Sequence, residues 1–484
     1  MAIATDTDRA TLLERLRATT ELLTSIAADR SVLAGVPVED RRRLLEAVAL
    51  VYSPDRAERR RMAKITARER KAARVKQDEG ALAATGIRTL RRRPVFHTPN
   101  VFPPERFAPH NLDDQPDGNG TGREAREPQP CYICKQKYSA IHHFYDQLCL
   151  PCAELNFAKR TESADLRGRV ALVTGGRVKI GYQASLKLLR SGAQVMVTTR
   201  FPRDGAARYA REPDYGEWAH RLEIFGLDLR HTPSVEAFCR GLLSTRGRLD
   251  FIINNACQTV RRPPAFYAHM MAGEMVALND MPERTRKLLV SQLPLLTEEL
   301  AQAADLFPEG ELDQDLQQVD LRGRNSWRLL LAEVSTVEML EVQLVNAVAP
   351  FIINARLKAL MMQTPEQDKH IVNVSAVEGQ FYRSFKTTRH PHTNMAKAAL
   401  NMMTRTAAAD YHGCGIHMNS VDTGWVTDED PVEIAARKTA EQHFHPPLDS
   451  VDGAARIVDP IVTGINTGHH VWGQFLKDYR PSDW

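Results

Sequence analysis

Residues 169–189 read RVALVTGGRVKIGYQASLKLL. An apolar run, Val170 to Val173, ends in Thr174-Gly175-Gly176 and passes into a helical pattern at Tyr182. The spacing predicts strand, tight turn and helix. Glycine lets the backbone turn sharply there, and lets a pyrophosphate approach unpaired amides at the positive end of the helix dipole. Taken alone, such a turn is also an ordinary strand-to-helix loop, so the decision rests on the residues carboxy-terminal to it.

Those residues form a series of apolar runs, each ending in small or polar side chains. Gln194–Thr198 ends in Thr199-Arg200, Arg221–Leu227 in Asp228-Leu229, and Phe251–Ile253 in Asn254-Asn255-Ala256. Ile371–Val374 leads to Ser375-Ala376-Val377-Glu378-Gly379, and Ile416–Val421 to Asp422-Thr423-Gly424-Trp425-Val426. Val471–Leu476 is the last expected strand. Helical patterns fill the intervals, which predicts an α/β fold with a doubly wound, mostly parallel sheet. Helices are expected at Pro431–His443 and Val451–Thr463, covering the substrate side.

With these residues the chain resembles the short-chain dehydrogenase/reductase family over about 166–479. The family's Thr-Gly-x-x-x-Gly-x-Gly is matched by Thr174, Gly175 and Gly181, with Lys179 at the middle glycine. The resemblance implies a Rossmann-type sheet, a nicotinamide cofactor and a carbonyl or alcohol substrate. The cofactor contacts it implies are the loop Thr174, Gly175, Gly176, Arg177, Lys179, Ile180 and Gly181, then Thr199 and Arg200, Asp228 and Leu229, Asn255 and Ala256, Lys397, and Gly424 and Val426. Thr199-Arg200 stands where an NAD enzyme presents a carboxylate to the ribose. Arg200 and Lys179 would attract a 2′-phosphate that an acid would repel, so NADP(H) is expected. Cys257 and Thr423 replace a glycine and a proline of the family pattern.

Asn346, in VNAVAPF, matches the family's catalytic asparagine, and Lys397, in KAAL, its active-site lysine. Two positions depart. Ala376 stands at the catalytic serine, with Ser375 its neighbour, and Thr393 stands at the tyrosine. Tyrosine can protonate an alkoxide because a nearby lysine lowers its pKa, whereas a threonine hydroxyl is far too weak an acid. The segment between Gly379 and Lys397 is longer than the family pattern and carries Tyr382, His390 and His392 as replacement donors, the histidines first. The competing reading is a catalytically silent NADP-binding scaffold or redox sensor. Between Cys257 and Asn346 lies an insertion, about 258–335, with Met270, Met271 and Met275, an acidic segment from Glu309 to Asp320, and Arg322, Arg324 and Trp327. Such insertions shape a substrate site or a subunit contact, and methionines there are core or clamp.

Upstream, Cys131-Tyr-Ile-Cys134 and Cys149-Leu-Pro-Cys152 are separated by fourteen residues. Two such knuckles bring four thiolates onto one zinc ion, and a closed four-ligand site is structural. A redox dithiol accounts for one pair and leaves the other unexplained. His142 and His143 read as packing residues, and Phe144, Tyr145 and Leu148 as the small core of a module at 131–160. Residues 94–130 read as a linker, most flexible at Gly118–Gly122. Residues 1–93 read as helical, with a stripe of Leu12, Leu13, Leu16, Leu22, Leu23 and Ile26. Ten Lys or Arg against two Glu between Arg56 and Lys76 describe a solvated or partner-binding face. Without aromatic interleaving, no nucleic-acid partner is expected.

A net charge of +4 on 484 residues, 43% hydrophobic and 26% charged, is an ordinary soluble balance. No apolar run approaches about 20 residues, and Met1–Ala10 lacks the pattern of a signal peptide. Seven cysteines, four of them clustered, fit a reducing compartment. The expectation is a cytoplasmic homo-oligomer with a small-molecule substrate, no membrane contact, and a protein partner at the amino-terminal helices or the zinc module.

Overall fold

The structure, a computed structural model, describes residues 6–52, 56–96, 98, 123–291, 306–308, 310–382, 386–442 and 445–484. It divides into two compact units, Met1–Gln77 and Asp78–Trp484. The first unit holds the helices Asp6–Ala28 and Val38–Tyr52 and most of Arg56–Ala83. Leu12, Leu13, Leu16 and Leu22 are each more than half exposed, so the stripe that marks the first helix is not covered within the unit.

The second unit begins with an antiparallel ribbon, β1 (Arg123–Pro130) and β2 (Lys137–Ile141). β1 falls inside the stretch expected to be linker. Its sequence, REAREPQP, has no apolar alternation, and the strand is anchored from outside: the Asp78 carboxylate accepts the amides of Arg126 at 3.0 Å and Glu127 at 3.1 Å. Gly118–Gly122 lies outside the described residues.

Among the described residues a nine-stranded sheet comes next: β3 (Val170–Thr174), β4 (Gln194–Thr199), β5 (Leu222–Gly226), β6 (Phe251–Asn254), β7 (Leu289–Ser291), β8 (Lys369–Ser375), β9 (Ile416–Asp422), β10 (Phe475–Lys477) and β11 (Arg480–Ser482). The order is β11-β10-β9-β8-β6-β3-β4-β5-β7, parallel except for the β10–β11 hairpin. The strands read as continuous apolar runs because both faces are covered. Helices Lys179–Arg190 and Ser450–Thr467 pack on one face through Leu186 and Ile457, and Thr232–Thr245, Ala349–Met361 and Pro391–His412 on the other through Val235, Ile353 and Ala408. The expectation that the helix near Val451 covers the substrate side is therefore corrected, since its buried stripe belongs to the sheet layer. Val432–Gln442 alone of that pair flanks the site.

The insertion contributes β7, which extends the β5 edge next to the buried Leu288, and the helix Ala268–Met275. Of the three methionines in that helix, Met270 is buried while Met275 is exposed. The run Thr336–Met361 reaches a mean hydropathy of 1.4 over 18 residues, apolar and long enough by composition to cross a membrane. Ile353, Leu357 and Leu360 lie fully buried in the core, which accounts for part of that apolar content, while Val337, Leu340 and Phe351 are exposed.

Candidate active site and cysteine cluster

The strand order reverses between β3 and β6, and there the carboxyl ends of the strands open a cavity of about 1230 Å3. Its floor is a cradle that tolerates only glycine. Gly175 has φ +69°, and a Cβ on it would lie 2.9 Å from Ala256 Cα. A Cβ on Gly181 would overlap the Asn255 amide and the Gly175 carbonyl. Asn255 Nδ2 donates to the carbonyls of Thr174 at 3.1 Å and Gly175 at 3.2 Å, and Thr174 Oγ1 accepts the Ala256 amide at 3.1 Å. The turn after β3 is thus tied to the end of β6. Of the residues read as cofactor-binding, all line the cavity except Thr174 and Gly176, which support the turn.

One end of the cavity is cationic. Arg200 donates to Tyr267 Oη at 2.6 Å, and its guanidinium lies over the rings of Tyr267 and Phe201, at 4.7 and 5.3 Å. Tyr267 comes from the insertion, where no sequence motif marks it. Arg177 is buried and paired with Asp204 at 2.7 Å, and burial pulls its pKa below the ordinary value. Lys179 holds φ +54°, a left-handed conformation that glycine adopts freely and lysine does not. Burial opposes its charge, but Glu429, Asp315 and Asp313 outweigh that and raise its pKa. Asp228 is held by Arg230 at 2.7 Å.

At the other end, Lys397 Nζ is buried and donates to the Val374 carbonyl at 2.8 Å. Ala376 and Ser375 line the wall, with Ser375 Oγ committed to Asn401 Oδ1 at 2.6 Å. Asn346 sits in a π-helical turn, Leu344–Val348, inside the long helix. It does not line the cavity: its Oδ1 accepts the Gln258 amide at 2.7 Å and its Nδ2 donates to the Gln258 carbonyl at 3.2 Å.

The structure separates the replacement donors. Tyr382 is 86% exposed and outside the cavity. His392 is buried on the first turn of Pro391–His412, 3.5 Å from Glu338, and faces that residue's helix instead of the cavity. Thr393 is likewise buried, away from the cavity, and its Oγ1 has no hydrogen-bond partner among the described residues. His390 does line it. Its φ of +43° at the helix start turns it from the line of its neighbours, and its ring stacks on Trp327 at 3.9 Å with Nδ1 3.1 Å from Asn394 Oδ1. Burial lowers its pKa below the ordinary histidine value. In the same cavity wall, Asp422 is buried. Burial first, then Glu378 and Asp478, push its carboxyl up to about 6.

The four cysteine Sγ atoms lie within 4.8 Å of one another, with Cys134 and Cys149 3.6 Å apart. A tetrahedral zinc with bonds of about 2.3 Å sets sulfur–sulfur edges of about 3.8 Å, which this donor set fits. His142 takes no part. Its Nδ1 accepts the amides of Phe144 at 3.1 Å and Tyr145 at 3.3 Å, and burial, with His143 beside it, lowers its pKa to about 4. The module is built into the sheet domain. Tyr145 Oη donates to Asp452 at 2.5 Å, Arg160 pairs with Asp449 at 2.7 Å and Asp452 at 3.0 Å, and Arg456 donates to Asn156 at 2.6 Å. Two residues of the first knuckle, Tyr132 and Lys135, line the cavity itself. No signal in the sequence marks them, since both lie within the cysteine pattern.

Two family models match the chain: "short chain dehydrogenase" over residues 169–281 and "Enoyl-(Acyl carrier protein) reductase" over 326–449. Uncharacterized protein R665 of Acanthamoeba polyphaga mimivirus is 32% identical over 349 residues, 69% of this chain and 71% of that protein. Human dehydrogenase/reductase SDR family member 13 is 39% identical over 93 residues, 19% of this chain and 24% of that protein. The match to the bovine form covers 27% of its length, so the chain spans about a quarter of these mammalian relatives. Among solved structures, the angucycline C-6 ketoreductase LanV with bound NADP is 20% identical, with 65% of this chain and 96% of that one covered and a TM-score of 0.42. The Pseudomonas aeruginosa RhlG/NADP complex is 18% identical, with 65% and 95% covered and a TM-score of 0.42. The two family matches leave only residues 282–325, inside the insertion, between them, one covering the glycine turn and the strands around it, the other the segment of Ser375 and Lys397, and the chain belongs to the short-chain dehydrogenase/reductase family.

Proposed function

We propose that the chain is an NADP(H)-dependent oxidoreductase acting on a carbonyl or alcohol, with a structural zinc at Cys131, Cys134, Cys149 and Cys152. The observation that carries this reading is the glycine cradle at the sheet's switch point, opening into the same cavity as the buried Lys397. Arg200, propped by Tyr267 at the end of β4 where no acid stands, supports the 2′-phosphorylated cofactor. The strained backbone of Lys179 points the same way: a lysine kept where glycine is easier indicates a use for its ammonium.

The nicotinamide, when bound, supplies a hydride to a carbonyl carbon or takes one from an alcohol. Lys397 contributes a buried positive charge at the end of β8. Asn346 acts one layer behind, fixing the Gln258 backbone. His390 is the proton donor of this reading, the one candidate of the three that reaches the cavity, and it gives its proton to the substrate oxygen as the hydride reaches carbon. Because burial holds its pKa below the ordinary histidine value, carbonyl reduction is expected to quicken as pH falls below the range in which an unburied histidine protonates.

The silent-scaffold reading has its own support in Ala376 and in Thr393, buried away from the cavity. Titration with NADPH and NADH, followed by nicotinamide absorbance against aldehydes, ketones, quinones and pterins, tests both. NADPH is expected to bind at least ~10-fold more tightly than NADH, with Arg200→Asp erasing the difference. Lys397→Met is expected to cost turnover ~100-fold or more. A scaffold would bind NADPH, turn nothing over and lose at most affinity in that variant. Failure to bind either nucleotide would end both readings. Metal analysis is expected to give one zinc per chain, lost in Cys149→Ala.

A further inference from the structure

The cysteine module contributes more than a stable neighbour. Tyr132, the residue after the first ligand cysteine, extends to the turn after β9, where its Oη accepts the Trp425 amide at 2.9 Å. A Cβ placed on Gly424 would lie 3.5 Å from that oxygen and 2.5 Å from Leu448 Cδ1, so turn and tyrosine are in close register. Gly424 also has φ +73°. Cys131 shares one apolar cluster with Val426 and Leu448, and Tyr132, Ile133, Cys149, Cys152 and Ile180 pack against it. Ile180 belongs to the glycine loop and Val426 to the turn after β9, so the thiolate knuckles touch two walls of the nucleotide cavity. Arg91 completes the clamp by donating to the Val426 carbonyl at 3.1 Å and the Leu448 carbonyl at 2.5 Å.

We infer that Tyr132 is a positioning residue for the nicotinamide end of the cavity, and that it couples metal binding at the four cysteines to cofactor binding. The inference rests on the NADP(H) and zinc readings above. The physical reason is that a four-cysteine module folds with its metal. Without the metal the knuckle loses its shape, Tyr132 leaves the Trp425 amide, and the turn Asp422–Val426 loses its brace. Linkage is reciprocal, so a nucleotide that needs that turn must in return hold the metal more tightly. The adenosine end is built on β4 and β5, across the switch point from the β9 turn that Tyr132 holds, and should be indifferent to it.

The experiment uses the full zinc-loaded chain and two probes, NADPH and adenosine 2′,5′-bisphosphate, which lacks the nicotinamide. Tyr132→Phe removes the acceptor and leaves the ring and the cysteines. It is expected to keep its zinc, to weaken NADPH about 3- to 10-fold, and to bind adenosine 2′,5′-bisphosphate as the parent does, a split that general loss of structure would not produce. In the unmutated chain, NADPH is expected to slow zinc transfer to a chromogenic chelator by a similar factor, and the bisphosphate to leave it unchanged. Equal weakening of both probes, or zinc release blind to NADPH, overturns the inference while leaving the cofactor reading intact. A parent chain that binds neither probe overturns both.

Discussion

Asp422 ends β9 in the wall of the cavity, with its carboxyl buried and one oxygen accepting the Val377 amide at 3.2 Å. Its folded pKa of about 6 lies above the 3.8 of an unburied aspartate. Such a group favours the folded state fully below 3.8, and the contribution is lost as pH climbs through about 6. The difference corresponds to about 3 kcal/mol at neutral pH. Asp422→Asn keeps an acceptor and cannot ionise, so its melting temperature should match the parent at about pH 4 and exceed it at about pH 8. A gap that stays constant with pH would mean the carboxyl is not held protonated. Residues of this kind are poorly legible in a sequence. Asp422 is visible there only as the start of a motif, because its titration depends on burial and on Glu378 and Asp478, which arrive from other elements. Lys397 and Gly181 are legible because each sits in a local pattern whose geometry allows little else.

At the scale of elements, the joint between the cysteine module and the helix Ser450–Thr467 is ionic and dry. Arg160 is 2% exposed and faces Asp449 and Asp452, while Tyr145 and Arg456 satisfy neighbouring atoms. Removing one partner of such a group leaves buried charge uncompensated, which costs about 3–5 kcal/mol. Arg160→Ala should therefore lower the unfolding midpoint in denaturant by that equivalent. Arg160→Lys, which keeps the charge but forfeits the fork, should lose less. A midpoint unchanged in Arg160→Ala would mean that the joint is solvated. The module's existence is readable from its four cysteines. Its integration is not, because none of Arg160, Asp449 and Asp452 carries a motif and the partners lie 289 and 292 residues apart.

At the scale of the whole molecule, the helices that carry Asn346 and Lys397 leave Val337, Leu340, Phe351, Met395 and Met402 each more than half exposed. Large apolar side chains exposed together on neighbouring helices mark a contact surface. The expected outcome is a dimer by light scattering, converted to monomer by Phe351→Arg with the melting temperature little changed. A monomeric parent chain would refute it. In the sequence, Val337, Leu340 and Phe351 merge with the core stripe of one apolar run, so which of its residues face outward is decided only by the fold.

The order of strands and turns, the glycine cradle, the four-cysteine pattern and the lysine were determined by the sequence itself, because each depends on contacts or backbone angles within a few residues. The tertiary structure decided what depends on elements meeting from far apart. It placed His390 on the cavity and His392 and Tyr382 off it, since one left-handed residue at a helix start turns one ring toward the cavity and leaves the other buried histidine facing Glu338. It formed β1 in an expected linker, because the anchor is Asp78 and not the strand's own pattern. It also placed Tyr132 against the Trp425 amide, a contact across 293 residues that no local rule of spacing encodes.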